Sequence, residues 1–265
     1  MKAHSILLTG ASSGIGRALA LAYAGPGQRL ILVGRNAGRL AEVAQRCRAE
    51  GASVETAILD VRDEAAMREK ILAWDAVQPI DLAVACAGIV SGTGTGRAVE
   101  PAAAVRAVLA TDLTGALNTI DPLIEPMMAR RAGHLAVVGS LSGLRGFPSS
   151  PAYSAAKAGV HAYAEGIRPR LRRYGVGVSV IAPGFVKTPL NIAVRAPRPL
   201  QVSDETAARI IRRGLDRGRA MIAFPFILYA GLRLLTLLPA RLGDWLLDRP
   251  GVEVPLTAET ERPSP

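Results

Sequence analysis

Short apolar runs alternate with helical patterns along most of the chain, and this alternation limits the choice of fold more than any other feature. The apolar runs read as buried parallel strands and occupy residues 6–9, 30–33, 54–59, 82–85, 134–139 and 176–181. Helical patterns fill the gaps at residues 15–24, 37–49, 64–74, 103–130 and 152–174. Asn36 and Asp63 are predicted to cap two of these helices. Strands that alternate with helices predict right-handed crossovers and therefore a doubly wound α/β domain.

The composition of the 265 residues is consistent with one large domain. Hydrophobic residues make up 49% of the chain and the mean hydropathy is +0.25, which is enough to build a sizeable core. No internal repeat and no linker-like change in composition precedes about residue 249. We therefore expect residues 1–250 to form a single domain and residues 251–265 to form a polar, disordered tail.

The cysteines and the first residues of the chain indicate a reducing compartment. Cys47 and Cys86 are predicted to be buried thiols rather than a disulfide. The chain begins without the long apolar stretch of a signal peptide, so we expect a cytoplasmic protein. No cluster of cysteine and histidine has the spacing of metal ligands, so no metal site is predicted.

The net charge of +10 comes mostly from arginines that are scattered along the chain. Pairs such as Arg130-Arg131 and Arg172-Arg173 have no aromatic residues between them, whereas nucleic-acid binding requires a dense basic face. Nucleic acid is therefore not expected as a partner. The charge instead favours attraction to an anionic cofactor or to an acidic membrane surface.

A glycine-rich turn follows the first apolar run, in the sequence Thr9-Gly10-Ala-Ser-Ser-Gly14-Ile-Gly16. Glycines at a strand-to-helix junction let the backbone approach a pyrophosphate, which the free N–H groups and the dipole of the helix stabilise. The spacing differs from the general dinucleotide fingerprint, Gly-x-Gly-x-x-Gly. A glycine-serine loop without a ligand is the alternative interpretation.

Tyr153 and Lys157 lie four residues apart in a predicted helix and therefore face the same way. A free tyrosine has a pKa near ~10, and a lysine charge close by is expected to lower the pKa of Tyr153. Ser140, thirteen residues upstream, can hold a carbonyl or alcohol oxygen by a hydrogen bond. A solvated pair of helix residues is the alternative, because the spacing alone is common.

Together these motifs closely resemble the short-chain dehydrogenase/reductase (SDR) family over residues 5–224. The resemblance implies a single Rossmann-type domain with a parallel sheet of about seven strands, the last at residues 219–224. It also implies an NAD(P)-dependent oxidoreductase that interconverts a carbonyl and an alcohol, and a homodimer or homotetramer. Tyr153 would be the general acid or base, Lys157 would lower its pKa and hold the nicotinamide ribose, and Ser140 would anchor the substrate oxygen.

The same resemblance implies a set of residues around the cofactor. Thr188 would bind the carboxamide, and Asp60-Val61 would lie beside the adenine. The implied cofactor-binding residues are Gly10, Ser12, Ser13, Gly14, Ile15, Gly16, Arg35, Asp60, Val61, Ala87, Gly88, Tyr153, Lys157, Pro183, Gly184, Val186 and Thr188.

The end of the second strand favours NADP(H) over NAD(H). An acidic residue there would bind the ribose 2′-hydroxyl of NAD, and an arginine would accommodate the 2′-phosphate of NADP. The segment Leu32-Val33-Gly34-Arg35-Asn36 has no carboxylate and places Arg35 just after the strand. Ser13 argues against this choice, because many NADP-preferring relatives have a basic residue there, and NAD(H) remains the alternative.

Two positions depart from the family pattern. Asp112 replaces an asparagine that usually completes a proton relay through water. We expect Asp112 to belong to the catalytic residues. Ala85-Cys86-Ala87-Gly88 replaces Asn-Asn-Ala-Gly. A carboxylate can still hold a water molecule, so activity is expected. A cofactor-binding sensor or scaffold with little turnover is the alternative.

The C-terminal part is apolar, which suggests an apolar or lipid-like substrate. Pro225, Gly231 and Arg233 interrupt residues 221–238, so two short apolar helices at 226–238 and 241–247 are expected rather than a membrane span. They either pack over the sheet or a partner subunit, form a substrate lid, or contact a membrane surface. Residues 187–203 are expected to form a mobile substrate loop.

Overall fold

A computed structural model describes residues 3–94, 97–192, 194, 197–248 and 254–256 of the chain. The strands in these residues are β1 (Ser5–Thr9), β2 (Arg29–Gly34), β3 (Ser53–Ile58), β4 (Leu82–Ala85), β5 (Gly133–Val138), β6 (Val176–Pro183), β7 (Val186–Lys187), β8 (Val202–Ser203) and β9 (Met221–Phe224). The α-helices are α1 (Gly14–Tyr23), α2 (Ala37–Ala49), α3 (Glu64–Val77), α4 (Ala102–Val108), α5 (Gly115–Arg130), α6 (Pro151–Arg172), α7 (Pro189–Ile192), α8 (Asp204–Asp216), α9 (Phe226–Leu235) and α10 (Ala240–Leu247).

Seven of these strands form one parallel sheet in the order β3-β2-β1-β4-β5-β6-β9. All residues of β1 and β2 are buried, because helices cover both faces of the sheet. One apolar core, with Leu8 and Leu19, lies on one face, and a second core, with Leu7 and Ile71, lies on the other. The predicted doubly wound Rossmann-type domain is confirmed.

The strand order places the site at the carboxyl ends of β1 and β4. The chain leaves β1 toward β2 and β3, then returns to the other side of β1 with β4. The loops after these strands therefore diverge and leave a crevice, which is where open parallel sheets bind ligands. The two predicted helix caps are confirmed nearby, since Asn36 and Asp63 accept hydrogen bonds from the backbone of Arg39 and Ala66.

The helix predicted over residues 103–130 is interrupted by a π-helical segment. Residues Leu109–Thr114 form this wider turn between α4 and α5. The prediction of one regular helix was therefore wrong in its middle, because periodicity does not reveal an added residue in one turn. Asp112 lies in the π-helical segment and is buried. Such segments occur frequently at functional sites.

The C-terminal helices are as short as expected, and no described helix is long and apolar enough to cross a membrane. Residues 187–203, predicted to be a loop, contain the described strand pair β7–β8 and the short helix α7. The disorder predicted after residue 250 does not hold for residues 254–256, because Val254 is buried against Val90 and Val194. The rest of that tail lies outside the described residues. Cys47 and Cys86 are free thiols, Cys47 being buried.

Candidate active site

Helix α6 and the end of β5 bring Ser140, Tyr153 and Lys157 together. Helix α6 begins at Pro151, so Tyr153 and Lys157 lie in its first two turns. The Lys157 Nζ atom lies 5.5 Å from the centroid of the Tyr153 ring. Ser140 caps a 3-10 turn, and its Oγ accepts a hydrogen bond from Ser142 N at 3.1 Å. The two hydroxyl-bearing residues, Ser140 and Tyr153, line one cavity together with Lys157.

Lys157 is buried and its ammonium group has two partners on neighbouring elements. Its Nζ donates to the backbone oxygen of Val138 at 2.9 Å and lies 3.0 Å from Asp112 Oδ2. Asp112 Oδ1 accepts a hydrogen bond from Ile89 N at 2.8 Å. The side chains of Lys157 and Asp112 are 6% and 0% exposed. The sequence had placed Asp112 in a water relay and did not indicate an ion pair.

The pKa of Tyr153 is raised, which is the opposite of the net direction expected from the sequence. Burial raises the pKa of Tyr153 most, and Asp112 raises it further, while Lys157 and Ser140 lower it. Burial alone would lower the pKa of Lys157, but Asp112 and Tyr153 hold it above its ordinary value. The expected lowering by Lys157 is present, but the spacing of Tyr153 and Lys157 shows neither the burial of the phenol nor the carboxylate of Asp112, which together outweigh it.

The glycine loop is packed too closely for larger side chains. Gly10 has φ +66°, and a Cβ atom there would lie 2.8 Å from the Cα of Ala87. A Cβ atom on Gly16 would lie 2.3 Å from the backbone oxygen of Gly10. The strand-to-helix turn therefore stays tight, with the N-terminus of α1 open to a cavity that Ser12 and Ser13 line.

Arg35 follows β2 and lines the cavity with Asn36 and Arg39. The Arg35 Nη1 atom lies 3.9 Å from Asp60 Oδ2, while Arg62 binds Asp60 more closely at 2.6 Å. Burial would raise the pKa of Asp60, yet hydrogen bonds and charge from Arg62, with a smaller effect of Arg35, hold it below its usual value. Arg39 was missed, although its position in the first turn of the helix that follows β2 was a usable signal.

The remaining expected residues line the same cavity, which has a volume of about 1200 Å³. Gly88 lies against the carboxylate, since a Cβ atom there would be 2.9 Å from Asp112 Oδ2. Cys86 N donates a hydrogen bond to Thr9 Oγ1 at 3.1 Å, which joins the residue after β4 to the end of β1. The other residues of this group are Ile15, Val61, Ala87, Pro183, Gly184, Val186 and Thr188.

One end of the cavity is apolar, and the sequence predicted only some of the residues that line it. The helices α9 and α10 contribute the leucines that the sequence suggested as a lid, whereas Phe147 and Val254 were not indicated by any motif. The apolar lining residues in this region are Leu141, Phe147, Leu190, Val194, Leu228, Leu232, Leu246, Leu247 and Val254. Among the described residues, no group of three or more His, Cys, Asp or Glu side chains can hold a metal ion.

Known proteins with similar sequences are oxidoreductases. An "uncharacterized oxidoreductase" of Myxococcus xanthus (strain DK1622) is 38% identical over 245 residues, 92% of this chain and 96% of that protein. The ketoacyl reductase HetN of Nostoc sp. is 31% identical over 198 residues, 74% of this chain and 68% of that protein.

Two solved structures have the same fold over most of the chain. A short-chain dehydrogenase from Sphingobium yanoikuyae in complex with NADPH has a TM-score of 0.78 and 24% identity, covering 93% of this chain and 96% of that one. A short chain dehydrogenase/reductase from Burkholderia phymatum in complex with NAD has a TM-score of 0.78 and 25% identity, covering 97% and 100%. The short chain dehydrogenase family model matches residues 4–199. The chain is therefore an oxidoreductase of the short-chain dehydrogenase/reductase family.

Proposed function

We propose that this protein is an NADP(H)-dependent oxidoreductase that interconverts a carbonyl and a primary or secondary alcohol on an apolar, lipid-like substrate. One observation carries the proposal: Ser140, Tyr153 and Lys157 lie in the same cavity as the glycine loop at one end and the apolar residues of α9 and α10 at the other. A polar reacting group can thus meet a dinucleotide while an apolar body occupies the far end.

The residues present fit a nicotinamide dinucleotide. The tight turn at Gly10 and Gly16 leaves the N-terminus of α1 open to a pyrophosphate, as backbone N–H groups and the helix dipole require. Lys157 would hold the nicotinamide ribose and Thr188 the carboxamide. When bound, the cofactor supplies a hydride to the carbonyl carbon in reduction and accepts one in oxidation.

The chain's own residues manage the proton. In reduction, Tyr153 donates its hydroxyl proton to the carbonyl oxygen, which becomes the alcohol, and Ser140 donates a hydrogen bond to that oxygen. In oxidation, the Tyr153 phenolate takes the alcohol proton back. Proton transfer by a positioned side chain contributes about 10²–10⁴-fold to the rate. The larger share comes from orientation and from fixed hydrogen-bond donors.

Preference for NADP(H) is supported by two arginines at the end of β2. Arg35 and Arg39 line the adenosine end of the cavity, where a 2′-phosphate would lie. We expect Arg35→Ala to weaken NADPH binding about tenfold or more, since a hydrogen bond to a charged group contributes roughly 1.5–3 kcal/mol. NADH binding is expected to stay unchanged, and Arg46→Ala on α2 is the control. Equal weakening of both cofactors in a fluorescence titration would exclude this preference.

The exposed apolar surface of α9 and α10 is proposed as a contact surface of a cytoplasmic protein. Phe226, Ile227, Leu234, Leu237, Leu242 and Trp245 are exposed there. Arg233 and Arg241 lie among them, an arrangement suited to the interface of an anionic bilayer. A homodimer or homotetramer is the alternative way to cover this surface. Flotation with anionic vesicles, compared with light scattering in their absence, separates the two.

The function is tested by following NADPH and NADH oxidation with aldehydes and ketones of rising chain length. We expect NADPH-dependent turnover that rises with chain length and is lost in Tyr153→Phe, with NADPH affinity retained. Tight NADPH binding without turnover on any carbonyl would favour the second candidate, a cofactor-binding sensor or scaffold, which the replacement of asparagine by Asp112 suggests. Absence of binding to either cofactor would overturn both.

A further inference from the structure

The buried pair formed by Asp112 and Lys157 carries an inference about the chemistry of Tyr153. Asp112 reaches the site from the π-helical segment, and its carboxylate bridges Lys157 Nζ at 3.0 Å and Ile89 N at 2.8 Å. The glycine at position 88 leaves room for this approach, because a Cβ atom there would lie 2.9 Å from Asp112 Oδ2. The carboxylate is therefore held beside the lysine by the π-helical segment and by the residues that follow β4.

Geometry makes this pair electrically neutral as a unit. A buried carboxylate that lies in ion-pair contact with an ammonium group and accepts a hydrogen bond from a backbone N–H stays ionised, and a buried lysine beside it stays protonated. The positive charge of Lys157 Nζ lies 5.5 Å from the centroid of the Tyr153 ring. It is offset by the negative charge of Asp112, whose Oδ2 atom lies 3.0 Å from that nitrogen. Little net charge remains to stabilise a phenolate.

The other titratable groups that face Tyr153 and Lys157 are neutral and do not offset the charge of Lys157. Cys86, at the end of β4, is neutral at physiological pH because burial raises its pKa to about 12. His161, one turn after Lys157 on α6, is also neutral, because burial and then the charges of Lys157 and Arg233 lower its pKa to about 4. Among these groups Asp112 supplies the negative charge.

We propose that Asp112 is a positioning residue that neutralises Lys157, so that Tyr153 keeps its proton at neutral and mildly alkaline pH and the site is poised for carbonyl reduction. The statement about reduction rests on the proposed function, whereas the statement about the proton does not. Protonated Tyr153 is ready to donate to a carbonyl oxygen. Oxidation of an alcohol needs the phenolate, so it requires a higher pH.

The direct test is a tyrosinate absorbance titration of the chain without cofactor or substrate. The signal of Tyr153 is obtained as the difference between each protein and the same protein carrying Tyr153→Phe. We expect Tyr153 of the unmodified chain to titrate above ~10, the value of free tyrosine. In Asp112→Asn the unbalanced lysine is expected to lower that midpoint by about one unit or more.

Asp121→Asn on α5 is the matched control, because Asp121 hydrogen-bonds to Tyr163 at 2.6 Å and not to Tyr153. It is expected to leave the Tyr153 difference signal unchanged. A Tyr153 midpoint below ~10 in the unmodified chain would overturn the proposal even if Asp112→Asn does not fold. An unchanged or raised midpoint in folded Asp112→Asn would also overturn it.

Kinetics then test the reductive bias. In Asp112→Asn the acid limb of the kcat/KM profile for alcohol oxidation and the alkaline limb of the profile for carbonyl reduction are both expected to move to lower pH. A shifted tyrosine titration with unchanged limbs would overturn the reductive bias. If no carbonyl or alcohol reacts with either variant, the proposed function fails, whereas the titration still decides the role of Asp112.

Discussion

The two ends of the cavity are built in opposite ways. At the end formed by α6, charged side chains are buried, and Lys157 and Asp112 are 6% and 0% exposed. The other end is formed by α9 and α10, whose apolar side chains outside the cavity are exposed: Phe226 and Trp245 are 73% and 71% exposed. Helix α6 has eight buried residues, whereas α9, which the structure describes in full, has none.

This difference separates the part of the site that must be rigid from the part that can adapt. A buried charge is tolerated only when its partners are fixed, so the geometry around Lys157 is set by several elements at once. An apolar helix with few buried contacts opens at low cost in free energy. The reacting atoms therefore meet a fixed constellation, while the body of the substrate meets leucines that can rearrange.

The largest effect is expected on removing one member of the buried pair. Lys157→Met leaves the carboxylate of Asp112 buried without its cation, which should lower the free energy of unfolding by about 3–5 kcal/mol. Urea denaturation measures this loss. Adding Asp112→Asn should restore much of it, because the uncompensated charge is then removed. Arg62→Met at the exposed pair with Asp60 is the control and should cost about 0–1 kcal/mol. A loss of similar size in both proteins would remove the contrast between buried and exposed groups.

A second expected effect concerns the buried histidines, which lie on β5 and α6 and not in the C-terminal helices. Burial lowers the pKa of His134 to about 4, and burial with nearby positive charge does the same for His161. The unfolded chain therefore binds more protons than the folded chain between pH 4 and ~6.5, so stability falls as the pH is lowered through this window. Each histidine should contribute about 3 kcal/mol to that fall.

The pH effect is checked by urea denaturation at several pH values. His134→Asn should reduce the loss of unfolding free energy between pH 6.5 and 4, since one titrating group is gone. His4→Asn, a substitution of an exposed histidine, is the control. If the unfolding free energy depends equally on pH in His134→Asn and in the unmodified chain, the role assigned to the buried imidazole is contradicted.

The sequence predicts the rigid end better than the adaptable end for physical reasons. Continuous apolar runs reveal parallel strands because both faces are covered, and the spacing of Tyr153 and Lys157 reveals a shared helix face. The pairing of Lys157 with Asp112 depends on a π-helical turn that leaves no periodic signal. The contact of Val254 with Val90 joins segments far apart in the chain, and nothing local in either segment encodes it.

The smallest expected effect compares two leucines on one helix of the adaptable end. Leu232 lines the cavity, whereas Leu234 is 66% exposed on the other side of α9. Leu232→Ala should weaken transition-state binding of long-chain ketones by about 1–3 kcal/mol, which lowers their kcat/KM. The kcat/KM of short ketones should stay nearly unaffected. Leu234→Ala should change neither kinetics nor unfolding free energy by more than about 0.5 kcal/mol. If both variants lose activity equally on short and long substrates, α9 supports the catalytic residues instead of the substrate, and the cavity does not have two differently built ends.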